Sequence, residues 1–264
     1  MAVRVRVPVA RLAEGERALG PRVARYLASV HRLVSGDAFA AFDPERGLEA
    51  DGEVVEVSAG EMVARFGPLR PARLVATREV TWVQAVPKGE KMDSIVRDAT
   101  ELGVTRIVPA TTTYTVVKLD GPRREARRQR WERIAQEAAR QCGRSDAPEI
   151  LAILPWRDAI AASGPLHGTS FCLYERATTP IRGALLDAAT GVEPLAFAAG
   201  PEGGFAPDEV ALATEAGFSA VSLGPFVLRA ETVAAATLGA LRVLEGLGPS
   251  PERSRPAEPP GGGA

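Results

Sequence analysis

Apolar and polar positions follow two different periods along this chain, and the change of period divides it. Val3–Val9 alternates valine with arginine, the period of two of a half-buried strand. From Gly20 to Leu33 the apolar positions Val23, Tyr26, Leu27 and Val30 recur at i, i+3, i+4 and i+7, which predicts a helix. Ala38–Phe42 and Gly52–Val57 read as strands around a turn at Asp43–Gly47, and Met62–Phe66 as one more. This β-rich stretch closes at Gly67-Pro68-Leu69-Arg70-Pro71, and a domain boundary is expected near residue 73.

Beyond it, apolar runs of strand length alternate with helical patterns. Strands are expected at Val80–Val86, Ile107–Pro109, Thr113–Lys118, Ser170–Tyr174, Leu195–Ala199 and Ala220–Leu223. Helices are expected at Lys91–Leu102, Pro122–Cys142, Pro180–Ala189, Pro207–Ala216 and Thr232–Gly246. Met92, Ile95, Ala99 and Leu102 share one face of the first of these, and Trp131, Ile134, Ala138 and Cys142 one face of the second. Asp120 stands where it can cap the second, Pro122 near its first turn, and Gly143 where it can end it. Alternating β and α implies an α/β fold: a mostly parallel sheet with helices on both faces. Pro249–Ala264, rich in Pro and Gly, is expected to be a disordered tail.

Two of these strands end alike. Leu195–Phe205 reads Leu-Ala-Phe-Ala-Ala-Gly-Pro-Glu-Gly-Gly-Phe, and Val221–Glu231 reads Val-Ser-Leu-Gly-Pro-Phe-Val-Leu-Arg-Ala-Glu. Pro201 and Pro225 cannot donate to a sheet ladder, so each strand must stop there. Gly203 and Gly204 then allow close approach of backbone to a ligand. Ligands of open α/β sheets bind outside the carboxyl ends of strands, so the two loops are expected to wall one site. The glycine loop lacks the Lys-Ser/Thr of a phosphate-binding loop and the spacing of GxGxxG. Its Glu202 would repel a phosphate. A cationic ligand with neutral polar edges suits it better, and S-adenosylmethionine, a sulfonium carrying adenosine, fits. The competing reading is a tight strand-to-helix turn with a solvated glutamate. Arg229 lies in the loop that faces this one, just ahead of Glu231 and Thr232 at the start of the closing helix.

Composition narrows the class. The 264 residues are 45% hydrophobic and 25% charged, values of a soluble globular protein. No apolar run approaches the ~18 residues of a membrane span, and the start of the chain lacks the apolar core of a signal peptide. Cys142 and Cys172 have no CxxC spacing, and His31 and His167 stand apart, so no metal is expected and reduced cytoplasmic thiols are. The net charge of −1 conceals an asymmetry: residues 74–144 hold 14 Lys+Arg against 9 Asp+Glu, and residues 145–264 hold 7 against 14. Residues 123–144, the long helix and its end, hold Arg123, Arg124, Arg127, Arg128, Arg130, Arg133, Arg140 and Arg144 against Glu125, Glu132 and Glu137. Arginine's planar fork matches phosphate oxygens, although such a run is also what a solvated helix face looks like.

A linked set of segments carries a resemblance. Pro87-Lys88-Gly89-Glu90-Lys91-Met92-Asp93, Glu101-Leu102-Gly103-Val104, Val117-Lys118, Gln141-Cys142-Gly143-Arg144, Pro148-Glu149-Ile150, Gly200–Phe205 and Leu223–Arg229 occur in order, within a likeness running from about Val3 to Leu244. Together they resemble the RsmE family of the SPOUT class, methyltransferases that modify N3 of a uridine in bacterial 16S rRNA. The resemblance implies a PUA-like RNA-binding β-barrel over residues 1–73, and a SPOUT methyltransferase domain with a trefoil knot over 74–248. It also implies S-adenosylmethionine held in the knot, a homodimer, and the small ribosomal subunit as partner.

With the chemistry of methyl transfer and the basic middle of the chain, it assigns roles to residues. Leu173, Tyr174, Glu175, Gly200, Pro201, Glu202, Gly203, Gly204, Leu223, Gly224, Val227, Leu228 and Arg229 would hold the cofactor. Arg229 would stabilise the uracil anion, and Glu202 or Glu231 would take the proton. Arg32, Lys88, Lys91, Lys118, Arg123, Arg124, Arg127, Arg128 and Arg144 would meet the RNA. The chain departs from the family pattern at His31, Tyr114, Phe226 and Ala230; arginine is common at the second and third of these. Other readings are an RNA-binding protein that has lost catalysis, a SPOUT enzyme with a different RNA target, and a nucleotide-binding enzyme using the glycine loop.

Overall fold

The computed structural model describes residues 5–58, 61–72, 78–116, 121–163 and 168–246. The expected boundary near residue 73, Lys118, Asp120, His167 and the tail from Pro249 lie outside the described residues.

The first sheet comprises β1 (Arg6–Pro8), β2 (Gly15–Ala18), β3 (Ala38–Asp43), β4 (Leu48–Ser58), β5 (Glu61–Phe66) and β6 (Arg70–Pro71). Its order is β1-β3-β4-β5-β2, with β6 on β4. β1 runs parallel to β3 and the other pairs are antiparallel. Val7, Leu27, Phe39, Val54, Met62 and Phe66 form its core. Gly52 in β4 is a space requirement: a Cβ there would lie 2.8 Å from the Phe39 ring. The turn at Asp43–Gly47 is organised by buried Asp43, whose carboxylate accepts from the backbone N–H groups of Leu12, Glu45 and Arg46. β4 begins earlier than periodicity predicts because buried Glu49 interrupts the apolar pattern; it accepts from Arg6 and Arg70, both at 3.1 Å. The helical stretch is α1 (Pro21–Arg25) followed by a π-helical turn, Tyr26–Val30.

The second sheet is wholly parallel. Its strands are β7 (Val80–Ala85), β8 (Arg106–Thr111), β9 (Glu149–Ile150), β10 (Leu154–Pro155), β11 (Thr169–Leu173), β12 (Leu195–Ala199) and β13 (Ser219–Val221). The order is β10-β8-β7-β12-β11-β13, with β9 on β8. Both faces are covered, which is why the strands read as unbroken apolar runs. Alternate residues feed two cores. Trp82, Phe171 and Phe197 pack with Met92, Ile95, Trp131 and Leu238 of α2 (Lys91–Glu101), α3 (Gly121–Cys142) and α7 (Ala230–Glu245), beside Leu185 of α5 (Arg182–Thr190). Val83, Cys172, Ala196 and Ala198 pack with Trp156, Val210 and Phe218 around α4 (Trp156–Ala161) and α6 (Pro207–Glu215).

From β7 the chain moves outward through β8 and β10, then returns to build β11, β12 and β13 on the other side. Strand order therefore reverses beside β7, the place where open α/β sheets bind ligands.

Two expectations are corrected. Thr113–Val116, expected to begin a strand, follows a turn: the Thr112 N–H donates to Thr115 Oγ1 at 2.9 Å and the Thr115 N–H to the Thr112 carbonyl at 3.0 Å. β8 already has neighbours on both sides, so this β-branched run has no ladder to join, and threonine hydroxyls satisfy a turn instead. The buried face of α3 is Trp131, Ala135, Ala138 and Ala139; Ile134 and Cys142 sit at its half-buried margin. β2, β6, β9, β10 and α4 are too short to carry a period of their own.

Candidate active site

A cavity of about 520 Å³ opens at the carboxyl edge of the parallel sheet, walled by the loops that follow β11, β12 and β13 and by the start of α7. Four glycines, Gly200, Gly203, Gly204 and Gly224, stand in its wall. The glycine loop turns tightly, with the Gly204 N–H donating to the Pro201 carbonyl at 3.0 Å. Each glycine in it has a separate reason. A Cβ on Gly200 would lie 3.0 Å from the Gly204 backbone, and one on Gly203 would lie 2.8 Å from Tyr114 Cβ. Gly204 has φ +70, a left-handed conformation that disfavours any side chain. Gly204 also faces Glu175, whose carboxylate would be 2.9 Å from an added Cβ.

Side chains brace this loop from behind. Gln84, fully buried at the end of β7, donates to the Gly200 carbonyl at 3.1 Å and accepts from Trp82 Nε1 at 2.9 Å. Glu209 in the first turn of α6 accepts from the Ala206 N–H at 2.9 Å and from the Thr113 N–H at 2.7 Å. It thereby caps its own helix and ties down the turn that carries Tyr114 over Gly203. Neither residue was expected at the site. Gln84 left a trace as the one amide in an apolar strand, and Glu209 as an N3 glutamate two residues after Pro207.

Charge at the site is arranged around Lys91. Its Nζ lies 2.8 Å from Glu202 Oε1 and 3.9 Å from Glu231 Oε2. The Lys88 N–H also donates to the Glu202 carboxylate, at 3.1 and 3.2 Å. Partial burial raises the Glu202 pKa, but the Lys91 hydrogen bond, backbone N–H groups and the Lys91 charge together hold it below the usual carboxylate range. Lys91 is raised, first by its hydrogen bond to Glu202, against partial desolvation. Glu231 keeps one buried oxygen, Oε2, with no hydrogen-bond partner. The Arg229 guanidinium has no hydrogen bond or ion pair among the described residues, while its carbonyl accepts from the Thr232 and Val233 N–H groups at the start of α7. Cys172 lies beneath, its thiol pushed up to about 12 by burial and then by Glu175 and Glu209, so it is inert.

The structure brings all thirteen residues expected to hold a cofactor onto this one cavity. Lys91, expected on RNA, lines it too, with Arg176, Phe226 and Val233. Phe226 and Val227 stand at the mouth almost fully exposed. The residues expected on RNA do not gather. Lys88 and Arg32 are exposed. Arg144 is buried and spent: it donates to the Thr100 and Val104 carbonyls at 2.6 and 2.9 Å and pairs with Asp146 at 2.7 Å. It fastens the end of α2 and cannot reach a nucleic acid. Arg128 pairs along its own helix with Glu125 and Glu132. Arg123 and Arg124 have partners as well, and Arg127 has no hydrogen bond or ion pair among the described residues.

Residues 75–242 match the RNA methyltransferase domain family, a span that contains every residue of the cavity wall. Over 228 residues the chain is 35% identical to the ribosomal RNA small subunit methyltransferase E of Mycobacterium bovis, covering 83% of each chain. It is 31% identical to that of Synechocystis over 92% of this chain and 78% of the relative. The chain belongs to the ribosomal RNA small subunit methyltransferase E family. It is therefore an RNA methyltransferase. A crystal structure of the family member from Neisseria gonorrhoeae, bound to S-adenosyl methionine, superposes with a TM-score of 0.82 at 27% identity, over 92% of this chain and 98% of that one. Among the described residues no helix is long and apolar enough to cross a membrane.

Proposed function

We propose that this chain transfers a methyl group from S-adenosylmethionine to N3 of a uridine in the 16S rRNA of the small ribosomal subunit. The observation that carries this reading is the glycine-walled cavity with an uncommitted arginine at its rim. The cofactor fits the residues present: the volume is in the range of small-molecule sites, the walls offer backbone groups to adenosine and the methionine end, and the Glu175 carboxylate borders the space. When bound, its sulfonium supplies an electrophilic methyl group. Gly200, Gly203, Gly204, Leu223, Gly224 and Leu228 hold it by backbone contact, and Leu173, Tyr174, Pro201 and Val227 enclose it.

The chain's own chemistry then concerns the base. Uridine N3 must lose a proton, and the negative charge spreads to O2 and O4. The free Arg229 guanidinium at the rim stabilises that charge, the kind of preorganised donor that lowers such barriers. Of the two carboxylates, Glu202 is saturated by Lys91 and Lys88, and its lowered pKa makes it a weak base. Glu231, whose Oε2 accepts no hydrogen bond and lies 3.9 Å from the Lys91 ammonium, is the better acceptor. Lys91 holds both carboxylates in place.

The proposal extends to the rest of the chain: residues 1–73 as a PUA-like RNA-binding barrel, 74–248 as a SPOUT domain with a trefoil knot, a homodimer, and a cytoplasmic setting. The test is to incubate the protein with small subunits lacking this methylation and S-adenosylmethionine, then digest the RNA and identify the nucleoside by mass. 3-Methyluridine is expected. A ribose-methylated or other nucleoside would move the target, and binding without any product would make the chain a non-catalytic RNA binder.

A further inference from the structure

The basic helix α3 changes character along its length. Arg128 near its start is neutralised within the helix, and Arg130 is drawn across to Asp93 of α2 and to Glu90 just before it, at 2.6 and 3.1 Å. Its last turns face the other sheet. There a second cavity, of about 990 Å³, opens between α1, β1 and α3. Arg6, Arg22, Arg25 and Arg140 line it, against a single acid, Glu137.

The four guanidiniums are held differently. Arg22 and Arg25, exposed on α1, have no hydrogen bond or ion pair among the described residues. Arg140 lies over the Tyr26 ring at 5.1 Å, and among the described residues its one ion pair is with Glu137, at 4.0 Å. Tyr26 is braced in turn by His31, edge to face at 4.8 Å. Arg6 donates to Glu49 at 3.1 Å and, across the junction of the two sheets, to Ser145 at 2.8 Å; its buried Nε has no partner. The floor is thus clamped, and the two arginines of the opposite wall are uncommitted.

We propose that this cleft binds the phosphodiester backbone of the substrate RNA. The proposal rests on the reading that RNA is the substrate, and it extends the footprint from the start of α3, where Arg128 is neutralised but Arg127 has no hydrogen bond or ion pair among the described residues, to its far end. Guanidiniums converge from two parts of the chain that are more than a hundred residues apart, with one carboxylate among them. The space far exceeds one phosphate, so a run of phosphates fits it better than a single anion. Arginine forks and a cation–π-held guanidinium are phosphate chemistry.

The experiment titrates an unmodified 16S rRNA fragment into wild type and the double variant Arg22→Gln, Arg25→Gln at several salt concentrations. Neither side chain is packed, so folding survives. The slope of log affinity against log salt should flatten by roughly 1.4–1.8 for two lost phosphate contacts. The KM for RNA should rise with kcat at saturating RNA unchanged, and S-adenosylmethionine binding should stay at the wild-type value. Arg140→Gln should flatten the slope further, while Arg140→Lys keeps most of it. Polyglutamate of equal charge should displace the RNA poorly; equal displacement would assign the cleft to acidic protein instead. Wild-type affinity and slope in the double variant would overturn the proposal. Should wild type bind RNA yet transfer no methyl group, the functional reading fails, and the slope comparison still decides the cleft.

Discussion

The cavity at the glycine loops and the arginine-lined cleft are built by opposite means. The one at the carboxyl edge of the parallel sheet is shaped by three loops and a tight glycine turn in which an added Cβ would meet Tyr114, Glu175 or the loop's own backbone. The one between the sheets is walled by long charged side chains from α1, β1 and α3. A backbone wall is rigid and binds by shape and hydrogen bonds, so it tolerates no added atom. A side-chain wall binds by summed charge, so it tolerates the loss of any one member with a graded effect. Catalysis belongs with the first, where geometry must be held, and RNA capture with the second, where reach matters more than position.

The sharpest way to break this division is Arg229, the charged side chain that the backbone cavity leaves uncommitted. Arg229→Ala should lower the methyl-transfer rate by roughly 10²–10³, the usual loss for one such donor, with S-adenosylmethionine affinity by calorimetry nearly unchanged. An equal loss in both quantities would make Arg229 a piece of the wall.

Arg144 tests whether a basic residue near the cleft belongs to it. Removing one partner of a buried ion pair costs about 3 kcal/mol, so Arg144→Ala should melt roughly 6–12 °C lower. Its RNA salt slope, measured below the melting range, should match wild type. A flattened slope with an unchanged melting point would return Arg144 to the RNA.

Gly203→Val probes the intolerance of the backbone wall. The new side chain meets Tyr114 Cβ, and overpacking of this kind costs about 1–3 kcal/mol, which, felt at the cofactor, is about five- to 150-fold in S-adenosylmethionine affinity. RNA binding should be unaffected, because the cleft shares no residue with this loop. Full cofactor affinity in the folded variant would show that the loop is not the wall.

The smallest effect concerns the compensated part of α3. Its partner Arg128, then Gln129, hold the Glu125 carboxyl down to about 2. A depressed carboxylate contributes stability that is complete above its unfolded pKa, near 4.5, and is lost as pH falls toward 2. Glu125→Gln should therefore melt slightly below wild type at pH 7, and the two curves should converge on acidification through that window. A gap that persists at pH 2 would mean that packing, not the ion pair, is lost.

How far the sequence could be read depended on the kind of contact involved. Leu195–Ala199 is a strand over the predicted span because both of its faces are buried, and five apolar residues before Gly-Pro admit no other ending. Thr113–Val116 has equally strong local preference and forms no strand, since a strand exists only where a neighbour has free ladder positions. Glu49 hid the start of β4 because a buried carboxylate looks like surface until its two arginines, 43 and 21 residues away, are placed. The cavity residues were legible as glycine loops. That Lys91 joins them, and that it saturates Glu202 but not Glu231, depends on α2 lying against the loop 111 residues later.

The sequence by itself determined the alternation of strands and helices, the two Gly-Pro loops and the concentration of arginine in α3, because these follow from local sterics, backbone donors and composition. Tertiary structure alone decided which arginines are spent and which are free. Arg144, Arg130 and Arg140 are chemically the same group on one short stretch of chain. One is buried against carbonyls, one is paired across helices, and one is turned over a tyrosine into an open cleft. A guanidinium's role is set by the charges and dipoles within a few ångströms of it, and those neighbours come from parts of the chain that only folding brings together.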